Sequence, residues 1–129
     1  MTTLGGSRIQ TELLFGMALS DETTDLTTGE KLAFDVPRAC VITRVYASVK
    51  TAPAGSALTI DVEDEGTTIL DAVVSISAGA NNAETSTFTG SAASYVLSKG
   101  DLLTVDIDQI GSGTAGAGAK IFLFGYWTE

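Results

Sequence analysis

The 129-residue sequence contains no histidine, one cysteine, two prolines and only seven lysines and arginines. Each shortage removes a class of function. Without an imidazole base the histidine-dependent nucleophile triads are excluded. The lone Cys40 rules out an intrachain disulfide framework. With no histidine and no CxxC pair, the usual structural zinc recipes fail as well. The 16 acids against 7 bases give a formal net charge of −9 and a pI near 4.2. Such a surface repels phosphate backbones, and the chain has no Lys/Arg cluster, so no nucleic acid is expected as a partner. The same balance argues against an anionic membrane surface. No run approaches the roughly 18 apolar residues of a membrane span, and MTTLGGSRIQ lacks the basic flank and apolar core of a leader.

What is present is alternation. A chain of this length fits one hydrophobic core. Residues 1–10 mix Thr, Gly, Ser and one Arg without period and read as a flexible arm, leaving residues 11–129 as a single domain. TELLFGMAL is a first strand with a bulge or close backbone approach expected at Gly16, and residues 20–29 are a turn-rich loop. EKLAFDV places Leu32, Phe34 and Val36 on one face. CVITRVYASVK places Val41, Thr43, Val45, Ala47 and Val49 on one side, with Cys40, Ile42 and Tyr46 on the other. LTIDVE, TTILDAVVSI, AETSTF, YVL, LTVDID and AKIFLFGYW complete the strands, and Asp64, Glu65 and Gly66 form a hairpin turn. Both faces of AKIFLFGYW are apolar, which suggests a central strand or one covered by another subunit. Eight or nine short strands without a helical stripe predict an all-β, two-sheet antiparallel β-sandwich, with a jelly roll the first choice and an immunoglobulin-like sandwich the second.

Three constellations could carry chemistry. LTIDVEDEG at 58–66 and LTVDIDQIG at 103–111 are nearly one phrase written twice. Asp61, Glu63, Glu65 and Gly66 imitate the start of a calcium loop, but the twelfth position is Ala72 and the motif fails. If the two phrases lie on adjacent strands, Asp61 could meet Asp106 or Asp108 and share a cation. A solvated strand face explains the same acids by alternation alone. A glycosidase pair needs only two carboxylates, but acids are too abundant here for any pair to stand out. GSGTAG at 111–116 satisfies GxGxxG, yet a strand leaves it where a helix should, so it reads as a mobile hairpin loop. Cys40 reads as a buried, inert thiol. Phe122, Phe124, Tyr126 and Trp127 read first as core, with Trp127 as an intersubunit anchor in the second reading. No catalytic residue, metal ligand set or cofactor is expected.

The series SDETTDLTTGEKLAFDVPRACVITRVYASVKTAPAGSALTIDVEDEGTTIL, followed by LTVDIDQIGSGTAGAGAKIFLFGY, resembles a family of small β-sandwich proteins and modules encoded by tailed bacteriophages. The likeness covers residues 13–126. It implies a virion structural role and brings no catalytic residue with it. With no shaft-forming segment in the sequence, the expectation is a head decoration or cement protein. Such a protein would self-associate as a trimer and bind over seams of the major capsid protein on the capsid exterior, after synthesis in the host cytoplasm. Arg8, Ile9, Gln10 and Trp127, together with the loops at 20–29 and 111–118, are the expected gripping surfaces. The alternative is a receptor- or carbohydrate-binding module of a tail fibre, for which Tyr46 and Trp127 are the rings to inspect.

Overall fold

Period-two patterning becomes strands along the whole chain in the structure, a computed structural model that describes residues 10–129. The strands are β1 (Glu12–Ala18), β2 (Gly29–Asp35), β3 (Cys40–Ser48), β4 (Leu58–Asp64), β5 (Thr67–Thr68), β6 (Val74–Ile76), β7 (Asn82–Thr85), β8 (Tyr95–Leu97), β9 (Leu102–Gln109) and β10 (Lys120–Trp127), with one 3-10 turn at Thr89–Ser91. The first sheet runs β1-β10-β3, with β7 and β8 both beside β3. The second runs β2-β9-β4, with β5 and β6 both beside β4. Every pairing is antiparallel. The chain crosses between sheets at six of its nine strand connections, and its first and last strands lie side by side. This is the jelly-roll wrapping, and it sets aside the immunoglobulin-like order.

The core lies between the sheets. Leu58, Ile60 and Val62 of β4 face inward beside Leu103, Val105 and Ile107 of β9, opposed by Ile121 and Leu123 of β10. Each such side chain contributes about 1.5–3 kcal/mol by leaving water. Phe88, from the long connection between β7 and β8, is fully buried in the same cluster.

Three local readings change. In β3 the inward set is not one unbroken alternation: Val45 and Ala47, with Val49 just past its end, point in, but so do Cys40 and Ile42. The register slips between Phe124 and Gly125 of β10, opposite Arg44 and Ile42, so Thr43 is the extra residue that flips the phase. In β1 the slip falls between Leu13 and Phe15, while Gly16 supplies the close approach, because a Cβ there would lie 3.1 Å from the Phe122 ring. TTILDAVVSI splits into β5 and β6 because Ile69 and Leu70 leave the ladder for the core, Leu70 bridging to Phe88.

Residues 111–118 are not a mobile hairpin. Gly111 and residues 116–119 are buried, and bridges Thr51↔Ala117 and Ala54↔Thr114 tie them to the 51–57 turn. A Cβ at Gly111 would overlap the Thr114 carbonyl oxygen and lie 2.8 Å from the Ala54 amide nitrogen, so the glycine permits two backbones to touch. The same segment accepts the Leu26 amide at Gly116, which brings the 20–29 and 111–118 loops to one end of the sandwich.

Candidate functional site

The two sheets present outer faces of unlike chemistry. On the second sheet the repeated phrases are neighbours: Asp61 of β4 lies directly opposite Asp106 of β9, which is itself opposite Glu30 of β2. Glu63 and Asp108 complete a patch of five carboxylates. Burial, followed by the charges of Asp106 and Asp61, pushes the Glu63 carboxyl above its ordinary range, and burial with Asp61 and Asp106 does the same to Asp108. The Thr68 hydroxyl donates to Asp61, and the Thr104 hydroxyl donates to Glu63 at 3.5 Å. Oδ1 of Asp106 is buried without a hydrogen-bond partner among the described residues. The ion pairs among the described residues, Arg44–Glu84 and Lys120–Glu22, include none of these acids. Asp61 and Asp106 therefore meet on the outer row of the second sheet, where Asp61 is itself buried, at 8% exposed.

A second acidic group closes the far end of the sandwich. Asp64, Glu65 and Asp101 each bring a carboxylate oxygen within 4.8 Å of the others, the spacing that could hold a cation. Each acid also accepts a hydrogen bond, Asp64 through Oδ2 from the Tyr95 hydroxyl at 3.1 Å, Glu65 from the Leu102 amide at 2.6 Å and Asp101 from the Ser98 amide at 2.9 Å, while Oδ1 of Asp64 is buried without a hydrogen-bond partner among the described residues. The turn beneath them has positive φ at both Glu65 and Gly66, as the Asp-Glu-Gly sequence suggests. Burial, the largest cause, and the Asp101 charge raise the Asp64 carboxyl above its ordinary range, while the Tyr95 hydrogen bond acts in the opposite sense.

The outer face of the first sheet is of the opposite character. Leu13 from β1, Phe122, Phe124 and Tyr126 from β10, Val41 and Tyr46 from β3 and Val96 from β8 fall on successive outward rows. Leu13 is 51% exposed and Val96 66%, at opposite margins. Between them the Tyr46 and Phe122 rings lie 6.0 Å apart at 53°, and the Arg44 guanidinium sits 3.9 Å from the Phe124 ring centre. Arg44 also pairs with Glu84 at 3.1 Å, so the charge on this face cancels. The aromatic run of β10 thus divides: Ile121 and Leu123 build the core, whereas Phe122, Phe124 and Tyr126 coat the outside. The reading of these three rings as core is corrected. The central position of β10 and its apolar outer row both agree with its two-faced pattern.

The expected partner-binding residues fall in different places. Arg8 and Ile9 lie outside the described residues, and Gln10 is exposed just ahead of β1. Trp127 is half-buried on the inward row, edge-on to Phe15 at 5.6 Å and covered by Arg38 at 4.8 Å, so it closes the end of its own sandwich. Cys40 is fully buried, and that burial pushes its thiol up to about 11. The loop end carries a small cleft of about 180 Å³ lined by Ser20, Asp21, Thr24, Asp25 and Lys31 among others. There Asp21 accepts from the Thr24 amide and hydroxyl and the Thr23 amide, which holds its carboxyl below the ordinary range.

No family model and no curated protein sequence matches the chain. Among solved structures it is similar to the Drosophila NLP-core, a structure described as giving insight into pentamer formation and histone binding. The identity is 9% and the TM-score 0.51, over 93% of this chain and 100% of that one. It is also similar to a family 35 carbohydrate-binding module from Clostridium thermocellum, at 8% identity and a TM-score of 0.43 over 88% and 89% of the two chains. A third likeness is to infectious bursal disease virus, Gx strain, at 11% identity and a TM-score of 0.40, over 98% of this chain and 36% of that chain. The first of these likenesses, at 9% identity, is one of fold alone.

Proposed function

We propose that this chain is a structural protein of a tailed-bacteriophage virion, a decoration protein that self-associates and binds over seams of the major capsid protein on the head exterior. The observation that carries the reading is the neutral, aromatic outer face of the first sheet on a small all-β module whose opposite face is acidic. Monomeric proteins rarely leave so continuous an apolar patch in water, and such patches mark surfaces that become covered. The sequence resemblance names the setting, and the sandwich fold suits a structural or binding module. Loops 20–29 and 111–118, brought together at one end, offer a separate surface for the lattice. Stabilisation would follow from linkage: a ligand that binds only the assembled shell lowers the free energy of that shell, and many copies add their contributions.

Cosedimentation with capsids lacking this protein tests the reading, with saturable pelleting and a raised capsid disruption temperature expected. Failure to pellet with any expanded or unexpanded capsid would refute it. The tail-fibre alternative, a carbohydrate-binding module, draws on Tyr46 lying beside Glu84 on an exposed face. Saturable glycan-array binding abolished by Tyr46→Ala, without capsid binding, is the outcome that favours it.

A further inference from the structure

We infer that the outer face of the first sheet is buried against a second copy of this chain. The inference rests on the self-association half of the reading above and assigns it a surface. Leu13 and Val96, the margins of the face, are 51% and 66% exposed, and Tyr46, Phe122, Phe124 and Tyr126 fill the rows between them. Four strands wide and about seven residues long, the face measures about 19 Å by about 25 Å. Pairing two of them removes roughly 1,000 Å² from water, the size at which a specific interface begins.

Charge selects the occupant. The chain carries a net −9, and two copies approaching through their second sheets would bring Asp61, Glu63 and Asp106 of each together. Meeting through the first sheets, the same acids stand apart by two sandwich thicknesses and the interface layer. With packed layers about 10 Å apart, the separation is about 30 Å, more than three Debye lengths of about 8 Å at physiological salt. The face itself is electrically balanced, because its guanidinium, Arg44, is matched by Glu84 at 3.1 Å, and the two can exchange partners with the same pair on a neighbour. A sugar platform would ask for rings lying flat to solvent, but Phe122 is tilted against Tyr46 and Phe124 is capped by Arg44.

Sedimentation velocity over a dilution series tests the contact on the unmodified protein and on L13E/V96E, whose two sites are exposed and tolerate charge in the folded monomer. The unmodified protein is expected to associate at about 50 µM, and the double variant to dissociate at least about 100-fold more readily with an unchanged circular dichroism spectrum. D108K, on the opposite face, is expected to associate as the unmodified protein does. A protein that stays monomeric throughout, or a double variant that associates normally, overturns the inference. So does an L13E/V96E variant that loses only capsid binding, which would make the lattice the occupant. Association that the double variant abolishes, in a protein that binds no capsid, would uphold this contact and refute decoration.

Discussion

Replacing Asp106 by Asn tests whether the acidic face is a solvated surface or a half-built reaction centre. Asp106 stands between Glu30 and Asp61 on neighbouring strands, with Glu63 one row away. Cross-strand neighbours have Cβ atoms about 5 Å apart, and like charges so placed cost about 0.2–1 kcal/mol per pair in solvent-screened settings. Removing one charge from between two direct neighbours and a diagonal one should stabilise the fold by about 1–2 kcal/mol, with the new amide able to donate to Asp61. For a domain of this size that is a rise of roughly 3–8 °C in Tm. Thermal melts at pH 7 in low salt with a chelator present are the assay. The gain should shrink at about 1 M salt, where the Debye length is about 3 Å. It should also shrink as the pH falls. Glu63, Asp64 and Asp108 have carboxyls raised in the folded state, so the native protein binds more protons than the unfolded chain above the ordinary carboxylate range. Their contribution to stability is therefore greatest below the unfolded pKa and is lost as pH rises through the folded one. Asp21 acts oppositely: its carboxyl is lowered from an ordinary 3.8, and its contribution is lost as pH falls below that value. The unmodified protein should accordingly be most stable under mildly acidic conditions. A fall in Tm for Asp106→Asn at pH 7, or a gain indifferent to salt, would refute the reasoning and mean that the carboxylates are joined by something they bind.

Other perturbations follow from single contacts. Gly111→Ala forces a Cβ into the Thr114 carbonyl and should cost about 2–4 kcal/mol by chemical denaturation, where Gly113→Ala, 3.5 Å from the nearest atom, should cost under about 1 kcal/mol. Arg44→Ala removes the guanidinium from Phe124 and from Glu84 and should lower stability by about 0.5–1.5 kcal/mol. Cys40, buried with its thiol raised to about 11, should react with a thiol reagent at pH 8 at least about 100-fold more slowly in the native protein than in denaturant.

Much of the architecture was legible in the sequence because period-two alternation is imposed by the pleat itself. Leu58, Ile60 and Val62 and their counterparts Leu103, Val105 and Ile107 stand where alternation puts them, and the hairpin at Glu65 and Gly66 was signalled by its own turn chemistry. The misreadings share one cause, which is that long-range contacts decide what local pattern leaves open. The extra residue at Thr43 follows from the register against β10, which no property of CVITRVYASVK announces. Gly111–Gly118 looks like a flexible linker until the 51–57 turn packs on it, since small residues serve freedom and close contact equally well. Residue type alone places Phe122 and Phe124 in the core, yet the inward row of β10 is filled by Ile121 and Leu123. The meeting of Asp61 with Asp106 was foreseeable from the repeated phrase once the two strands were known to be adjacent. The convergence of Asp64, Glu65 and Asp101 was not, because Asp101 reaches the group from the turn before β9.

The division of labour between a covered aromatic face and a free acidic face is tested most directly by hydroxyl-radical footprinting of the protein when dilute and when assembled. Protection of Leu13, Tyr46, Phe122 and Tyr126 on assembly, with the strands bearing Asp61 and Asp106 unchanged, is the expected result. Protection confined to the second sheet, or none on the first, would contradict it.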